Sequence, residues 1–452
     1  MDPNRRWLLA WGAGYAAVGG ASVLVPLYAI ALDASLAFVG LIAATAALVG
    51  VPGAVAWAAL AARTGRRRPF VLVALGSTAG VLALVPLART PVTVLALNAA
   101  LWFVVSAAVP VLNLIVVEGA PVDEWDGRIA TLNAWQGYGW VAGLLVGTAW
   151  TLLAPRIGIA PLVGQRLLFL LLAAVAAVAT ALARVWYPEP STVSAERFRR
   201  VYARLSRSNW GAGRYLRASA YGPTRVYWGL RTAWRGRGTG DSGRSRPGST
   251  PARSASSARS AASPARLSPS LRRYLLAVIV FSLGFAVFWG PVPAFLAERV
   301  DDGAVFAVYL AGNLGSAVCY TPAGRLAGRY APRTVQAAAL AVRGALFPGV
   351  ALVGVILPAA APSALAGYAL AFGLVGATWA FIAVTTAGIV ARLSDDATRG
   401  AALGIQAAVA GLATAVGSAL GGVVAGAAGY LPTFGVGAAL VFAGTAVVLA
   451  GR

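Results

Sequence analysis

Long runs of apolar residues, separated by short polar stretches, occupy most of the chain. A helix needs roughly 20 apolar residues to cross the hydrocarbon layer of a membrane, and twelve runs are about that long. Strands of a membrane barrel would alternate polar and apolar residues, which these runs do not do. We therefore predict an all-α membrane protein with twelve transmembrane helices at residues 7–32, 37–62, 70–88, 92–117, 129–153, 167–187, 273–297, 304–324, 334–357, 363–391, 400–427 and 432–450.

The apolar pattern stops between Pro188 and Leu271, where Arg, Ser, Gly, Pro and Ala dominate. This interruption predicts three parts: a six-helix bundle over residues 1–187, a basic linker over 188–271 and a second six-helix bundle over 272–452. Within the linker, the sequence ERFRRVYARL places apolar residues on one helical face among arginines, which predicts a helix lying on anionic lipids. The remainder has no periodicity and is predicted to be disordered.

Arginines alternate with tryptophan and tyrosine in the linker, a pattern that is also typical of nucleic-acid binders. A tether held against a membrane needs the same residue types, and we therefore expect anionic lipids of the cytoplasmic leaflet, rather than nucleic acid, to be its partner.

Composition excludes several kinds of chemistry. The chain has 452 residues, of which 59% are hydrophobic and 11% charged, with no histidine and one cysteine. Thiolate or imidazole metal sites therefore lack ligands, and we predict neither a metal nor a cofactor. No nucleophile and base lie near each other in the sequence, so an enzyme is not expected, and no G-x-x-x-x-G-K-[ST] loop indicates a nucleotide-driven pump. Cys319 is most simply a small packing residue.

The distribution of arginine predicts the orientation in the membrane. Outside the linker, four arginines lie at one set of loops (Arg89, Arg156, Arg166 and Arg299) and thirteen at the other (Arg5, Arg6, Arg63, Arg66, Arg67, Arg68, Arg128, Arg325, Arg329, Arg333, Arg392, Arg399 and Arg452). Positive charge holds the richer side in the cytoplasm. We expect a multi-pass protein of the plasma membrane with both termini in the cytoplasm.

The fifth and eleventh segments resemble each other. Each opens with an arginine, Arg128 or Arg399, and carries a glutamine about two turns later, Gln136 or Gln406. Each also has small-xxx-small spacing, at Gly143 and Gly147 in one and Gly417 and Gly421 in the other. These matches predict an internal duplication with the two glutamines at equivalent depths.

Two arginine-rich loops also occupy equivalent places, AALAARTGRRRPF after the second segment and GRLAGRYAPRT after the eighth. The arrangement resembles the major facilitator superfamily, whose loop signature reads roughly G-x-L-a-D-R-x-G-R-R. Ala62 and Gly328 stand where the signature has aspartate. The resemblance implies a fold of two pseudo-symmetric bundles and a cytoplasmic gating motif formed by Arg63, Gly65, Arg66, Arg67, Gly324, Arg329 and Arg333. In physical terms, the motif would form a tight glycine turn whose arginines donate hydrogen bonds to carbonyl groups at helix ends. Alternatively, the arginines only fix the orientation of the helices in the membrane.

The resemblance also implies a central cavity lined by helices one, two, four, five, seven, eight, ten and eleven. The polar and aromatic candidates on those helices are Tyr15, Thr45, Trp102, Asn133, Gln136, Trp289, Asn313, Trp379 and Gln406. Each has an alternative role in holding helices together. Arg343 is the one charge in the middle of a segment, and it either contacts substrate or pairs with carbonyl groups.

The resemblance implies a secondary active or facilitative transporter that works by rocker-switch alternating access, and we expect it to be a monomer. The neutral, aromatic and amide-lined cavity predicts a small neutral or amphipathic solute. The direction stays open, because Gly139, Gly143 and Gly147 occur without the G-P pair of the family's antiporter signature. The alternative is a non-transporting sensor or scaffold that acts through the linker. Deletion of residues 191–268 separates the two, since only a transporter keeps its flux.

Overall fold

The computed structural model describes residues 6–64, 68–117, 125–187, 267–358, 361–394 and 399–450. In the N-terminal half, the helices are α1 (Trp7–Ile30), α2 (Leu36–Thr64), α3 (Arg68–Leu84), α4 (Pro91–Val117), α5 (Trp125–Leu153) and α6 (Pro161–Trp186). In the C-terminal half, they are α7 (Pro269–Trp289), α8 (Val292–Ala297), α9 (Asp302–Arg329), α10 (Pro332–Ile356), α11 (Pro362–Arg392), α12 (Arg399–Ala428) and α13 (Tyr430–Ala450). The linker from residue 188 to residue 266 lies outside the described residues.

The prediction of many membrane-spanning helices is confirmed. Ten spans in the described part of the chain are long and apolar enough to cross a membrane. The two further helices, α2 and α4, contain the shorter apolar stretches Leu36–Gly50 and Pro91–Ser106 within longer helices.

The predicted seventh segment, residues 273–297, is not one continuous helix. It divides into α7 and the short α8 at the sequence Gly290–Pro291–Val292–Pro293. A proline inside a helix removes one backbone hydrogen bond and clashes with the preceding turn. Gly290 also lies against Ser418 of α12 so closely that a Cβ would collide with its carbonyl oxygen. The break therefore has both a local and a tertiary cause.

The two halves repeat one pattern of helix packing. In the N-terminal half, α1 packs against α5 and α6, α2 against α4, and α3 against α4 and α6. In the C-terminal half, α7 packs against α12 and α13, α9 against α11, and α10 against α11 and α13. Because lipid tails are as apolar as leucine, these contacts depend on close packing and on hydrogen bonds between helices rather than on exclusion from water.

The halves meet through α2 against α12 and α5 against α9. We call the end of the molecule where α2, α9 and α11 end the arginine-rich end, and the end where α2 and α9 begin the opposite end. Three close approaches between the halves, Gly40 to Ser418, Gly422 to Leu36 and Gly147 to Phe306, lie toward the opposite end. These approaches hold the halves together at that end.

Candidate functional site

Trp379 is an exposed aromatic residue on the inner face of α11. The side chain is 43% exposed, whereas Leu370, nine residues earlier, is 66% exposed. Nine residues turn a helix by about 900°, which places the two side chains on opposite faces. Because Leu370 marks the outer face, Trp379 faces the interior of the protein. The ring contacts Phe285 of α7 with a centroid separation of 6.4 Å.

The side chain of Gln136 lies on the inner face of α5, opposite its outer face, as that of Trp379 does in α11. Leu145, which is 50% exposed, lies nine residues later and therefore on the opposite face. The side chain of Gln136 is half-buried and makes no hydrogen bond within the described residues. Asn133, one turn earlier, is exposed and also lacks a side-chain hydrogen bond there. Two amides thus face inward with their hydrogen-bonding groups available.

Gln406 lies seven residues after Arg399, the first residue of α12, and Gln136 lies eleven residues after Trp125, the first residue of α5. Equal depth of the two glutamines stays a prediction from the sequence. Gly139 and Gly143 of α5 pack against carbonyl oxygens of α1, and Gly417 and Gly421 of α12 pack in the same way against α7. The side chain of Gln406 is half-buried and makes no hydrogen bond within the described residues.

Two candidates direct a polar group to a carbonyl one turn earlier in their own helix. The hydroxyl of Thr45 donates to Leu41 O at 2.7 Å, and the amide of Asn313 donates to Tyr309 O at 2.9 Å. A polar side chain that bonds its own helix has fewer groups left for a solute.

Three aromatic candidates are half-buried. The ring of Tyr15 contacts Trp140 with a centroid separation of 6.1 Å, and Trp289 contacts Tyr309 at 5.7 Å. Trp102 packs against the main hydrophobic core. Trp289 lies at the end of α7, next to the break, and not in the middle of the membrane-spanning region.

Arg343 is buried between α7, α10 and α11, with 3% of the residue exposed. Its Nη1 donates to Val375 O at 2.8 Å and to Thr378 Oγ1 at 3.2 Å. The guanidinium carbon lies 4.4 Å from the ring centroid of Phe285 and 5.7 Å from that of Trp379. The expected pairing with a carbonyl group is therefore present.

The gating motif is only partly within the described residues. Gly65, Arg66 and Arg67 lie outside them, and of Arg63 only the backbone is described. Arg68, which follows the first copy, donates from Nη2 to the carbonyl oxygen of Arg184 near the end of α6. This is the helix-end contact that the sequence led us to expect of arginines in this loop.

In the second copy, the expected glycine turn is wrong. Gly324 and Gly328 are helical residues of α9, which continues to Arg329. The chain reverses through Tyr330, which is extended, and Ala331, and α10 begins at Pro332. Proline suits the first helical position because its fixed φ is helical and its missing N–H is not needed there. Arg329 is exposed and Arg333 half-buried at this end.

One polar contact between the halves was not predicted from the sequence. Gln165 Nε2 of α6 donates to Asp302 Oδ2 of α9 at 2.7 Å, at the opposite end. Asp301 accepts from Ala304 N and caps α9, which fixes the start of that helix. In the sequence, Gln165 stands out as a polar residue beside an apolar run, but the sequence does not show that Asp302 is its partner.

The helices, their repeated packing and the inward-facing amides define the class as a polytopic helical membrane protein with a transporter fold. Residues 8–228 match the family model of the Major Facilitator Superfamily. This match covers just under half of the chain and confirms the resemblance noted from its loops.

Solved structures share this fold over the whole chain. The nucleoside transporter NupG superposes with a TM-score of 0.66 at 12% identity, covering 100% of this chain and 99% of that one. A bacterial homologue of the human lysosomal transporter Spinster, inward-facing and unoccupied, gives 0.61 at 15% identity, covering 100% and 99%. The human organic anion transporter MFSD10 (TETRAN) gives 0.52 at 16% identity, covering 99% and 100%. No curated protein sequence gives a significant match.

Proposed function

We propose that this protein is a monomeric secondary active or facilitative transporter that moves a small neutral or amphipathic solute by alternating access. The observation that carries the proposal is the pair of inward-facing residues Gln136 and Trp379, one in each half. Gln136 lies about 16 Å along α5 and Trp379 about 25 Å along α11, which enters from the opposite end. Both positions are therefore well inside the membrane-spanning region.

The repeated helix packing supports an arrangement of two six-helix bundles, residues 1–187 and 272–452, related by pseudo-symmetry. Bundles related in this way can rock against each other around a fixed central site. The close approaches at the opposite end fit a state in which that end is closed. Reopening it while closing the arginine-rich end would complete the cycle.

The proposed cavity comprises Tyr15, Thr45, Trp102, Asn133, Gln136, Trp289, Asn313, Trp379 and Gln406. Within this set, we give the leading role in hydrogen bonding to Gln136 and Asn133, because their amides have no protein partner in the described part of the chain. The similar solved structures are of transporters for different solutes, a nucleoside transporter in one case and an organic anion transporter in another, so their likeness does not select a solute.

The proposed location, orientation and lipid partners of the protein follow from the distribution of its arginines. The arginine-rich end, with both termini, is placed in the cytoplasm, and the plasma membrane is the proposed location. Anionic lipids of the inner leaflet are the proposed partners of the linker 188–271. The gating motif is assigned to closure of the arginine-rich end.

The test begins with a thermal-shift screen of the purified protein against metabolites and drugs, because a ligand that binds only the folded state raises the melting temperature. Each hit is then measured for uptake into proteoliposomes. Gln136→Leu is expected to weaken binding of a hit by roughly 0.5–3 kcal/mol, since a buried hydrogen bond is lost.

Thr180→Val is the matched control, because the Thr180 hydroxyl bonds within its own helix, α6, which is not among the helices proposed to line the cavity. We expect it to leave affinity unchanged. The proposal fails if Gln136→Leu lowers the melting temperature but leaves affinity and flux as they were, because the amide would then only hold helices together.

A further inference from the structure

Arg343 is a cation without an acidic partner in the interior of the C-terminal half. Of its three guanidinium nitrogens, Nη1 makes both of the hydrogen bonds described above, to Val375 and Thr378. Nε is buried without a partner. No carboxylate pairs with Arg343 in the described part of the chain, where Arg299 does form an ion pair with Glu298.

The acidic residues whose side chains are described, Asp33, Glu298, Asp301 and Asp302, all lie near the opposite end. Arg343 lies about 16 Å along α10 from Pro332, which is near the middle of the helix. None of these four acidic residues is deep enough in the membrane-spanning region to offset the positive charge of Arg343. A cation in this position is costly unless a negative group pairs with it.

Aromatic rings offset part of this cost. The guanidinium carbon lies 4.4 Å from the centroid of Phe285, 5.8 Å from that of Phe347 and 5.7 Å from that of Trp379. Cation–π contacts are worth about 2 kcal/mol when desolvated, which is less than the penalty for burying an ion. The site thus keeps a positive potential that an anion can neutralise.

Trp379 connects this charge to the cavity. Its ring touches both Arg343 and Phe285, yet 43% of the residue is exposed on the inner face of α11. An aromatic solute packed against the exposed part of Trp379 would bring an attached negative group toward the guanidinium. Arginine suits this task because its planar fork can bind both oxygens of a carboxylate.

We propose that Arg343 and Trp379 together form the subsite that recognises the negatively charged head group of an aromatic, amphipathic solute. The proposal rests on the transport function proposed above and narrows its solute to organic monoanions of the carboxylate type. Arg343 binds the head group, and Trp379 stacks on the aromatic body.

The test uses three probes with one ring system and different charge: 2-naphthoate, 2-naphthalenemethanol and 2-naphthylmethylammonium. Binding to the purified full-length protein is measured by isothermal titration. We expect the anion to bind about tenfold more tightly than the alcohol, a difference of about 1.4 kcal/mol, and the cation to bind most weakly.

Arg343→Gln should abolish the preference for the anion over the alcohol, and Arg343→Lys should retain part of it. Arg299→Gln is the matched control, because Arg299 also stacks on an aromatic ring, Phe295 at 4.1 Å, but lies near the opposite end. We expect this control to keep the full preference. An equal affinity of the wild type for anion and alcohol, or an unchanged preference in Arg343→Gln, would overturn the proposal.

Trp379→Ala gives an independent readout if Arg343→Gln does not fold. It should weaken binding of 2-naphthoate and 2-naphthalenemethanol alike, because both lose their stacking surface, and unchanged affinities would contradict the subsite. Binding is measured without flux, so the two proposals fail separately. Anion-selective binding without any uptake by proteoliposomes would contradict the proposed transport function but support the proposed subsite.

Discussion

Polar side chains within the membrane-spanning helices fall into three groups according to their hydrogen-bond partners. Some bond to their own helix, as Thr45 does. Others join neighbouring helices: Asn98 Nδ2 donates to Ile42 O at 3.1 Å, and Gln336 Nε2 donates to Thr386 Oγ1 at 2.7 Å. Gln136 belongs to a third group, whose hydrogen-bonding groups face the interior without a protein partner. Only the third group is well suited to bind a solute, because its polar groups gain a partner when one arrives.

At this scale, we predict that the contact between Gln165 and Asp302 stabilises closure of the opposite end. Gln165→Leu removes the donor to a carboxylate, a hydrogen bond worth about 1.5–3 kcal/mol, and should raise the population open at that end by about tenfold or more. The readout is the labelling rate of a cysteine introduced at Thr151, near Gly303 at this junction, with Cys319 replaced by alanine.

Ser22→Ala is the control for this measurement, because the Ser22 hydroxyl bonds to Gly19 O within its own helix at 2.7 Å. Labelling at the wild-type rate in Gln165→Leu would show that the contact does not stabilise closure.

At the scale of elements, glycine governs how closely helices approach. The sequence identified small-xxx-small spacing in the fifth and eleventh segments, and the structure adds a close pair between α9 and α11, where Gly376 lies against the carbonyl of Gly312. Helix ends are governed by other residues. Pro332 begins α10 directly after Ala331, which is not helical, and Gly290 and Pro291 separate α7 from α8.

The arginine loop between α2 and α3 gives the prediction at this scale. Replacing both Arg66 and Arg67 with alanine should slow flux into proteoliposomes at an unchanged level of inserted protein. Insertion should persist because Arg63 and Arg68 preserve the charge bias, and Arg68 keeps its contact with the end of α6.

Arg89→Ala, in a loop at the opposite end, is the control and should leave flux unchanged. Equal flux in the double variant and the wild type would reduce the motif to a signal for membrane orientation.

At the scale of the whole molecule, both halves use the same packing pattern and meet through α2 with α12 and α5 with α9. A polar contact and several glycine approaches join them at the opposite end. This asymmetry along the membrane normal is what alternating access requires, since the solute must reach the site from one side at a time.

The membrane orientation is the prediction at this scale. With Cys319 replaced by alanine, a cysteine at position 67 should resist an impermeant thiol reagent in intact cells, whereas a cysteine at position 156 should react. The physical reason is the excess of arginine at the end that contains position 67. Reaction at position 67 in intact cells would invert the topology, and permeabilised cells provide the control for reactivity.

The sequence by itself determined the helices, because membrane-spanning length and apolar character are local properties that each segment carries alone. It also indicated the resemblance to the Major Facilitator Superfamily, through the two arginine-rich loops, and the inner glycines of α5 and α12. It could not determine what those glycines touch, since contacts between helices depend on register and rotation. Gly143, for example, lies against the carbonyl oxygen of Ala16 in α1, whereas Gly147, one turn later, lies against Phe306 of the other half. The contact of Gln165 with Asp302 and the aromatic surroundings of Arg343 likewise join residues far apart in the chain, so only the tertiary structure decided them.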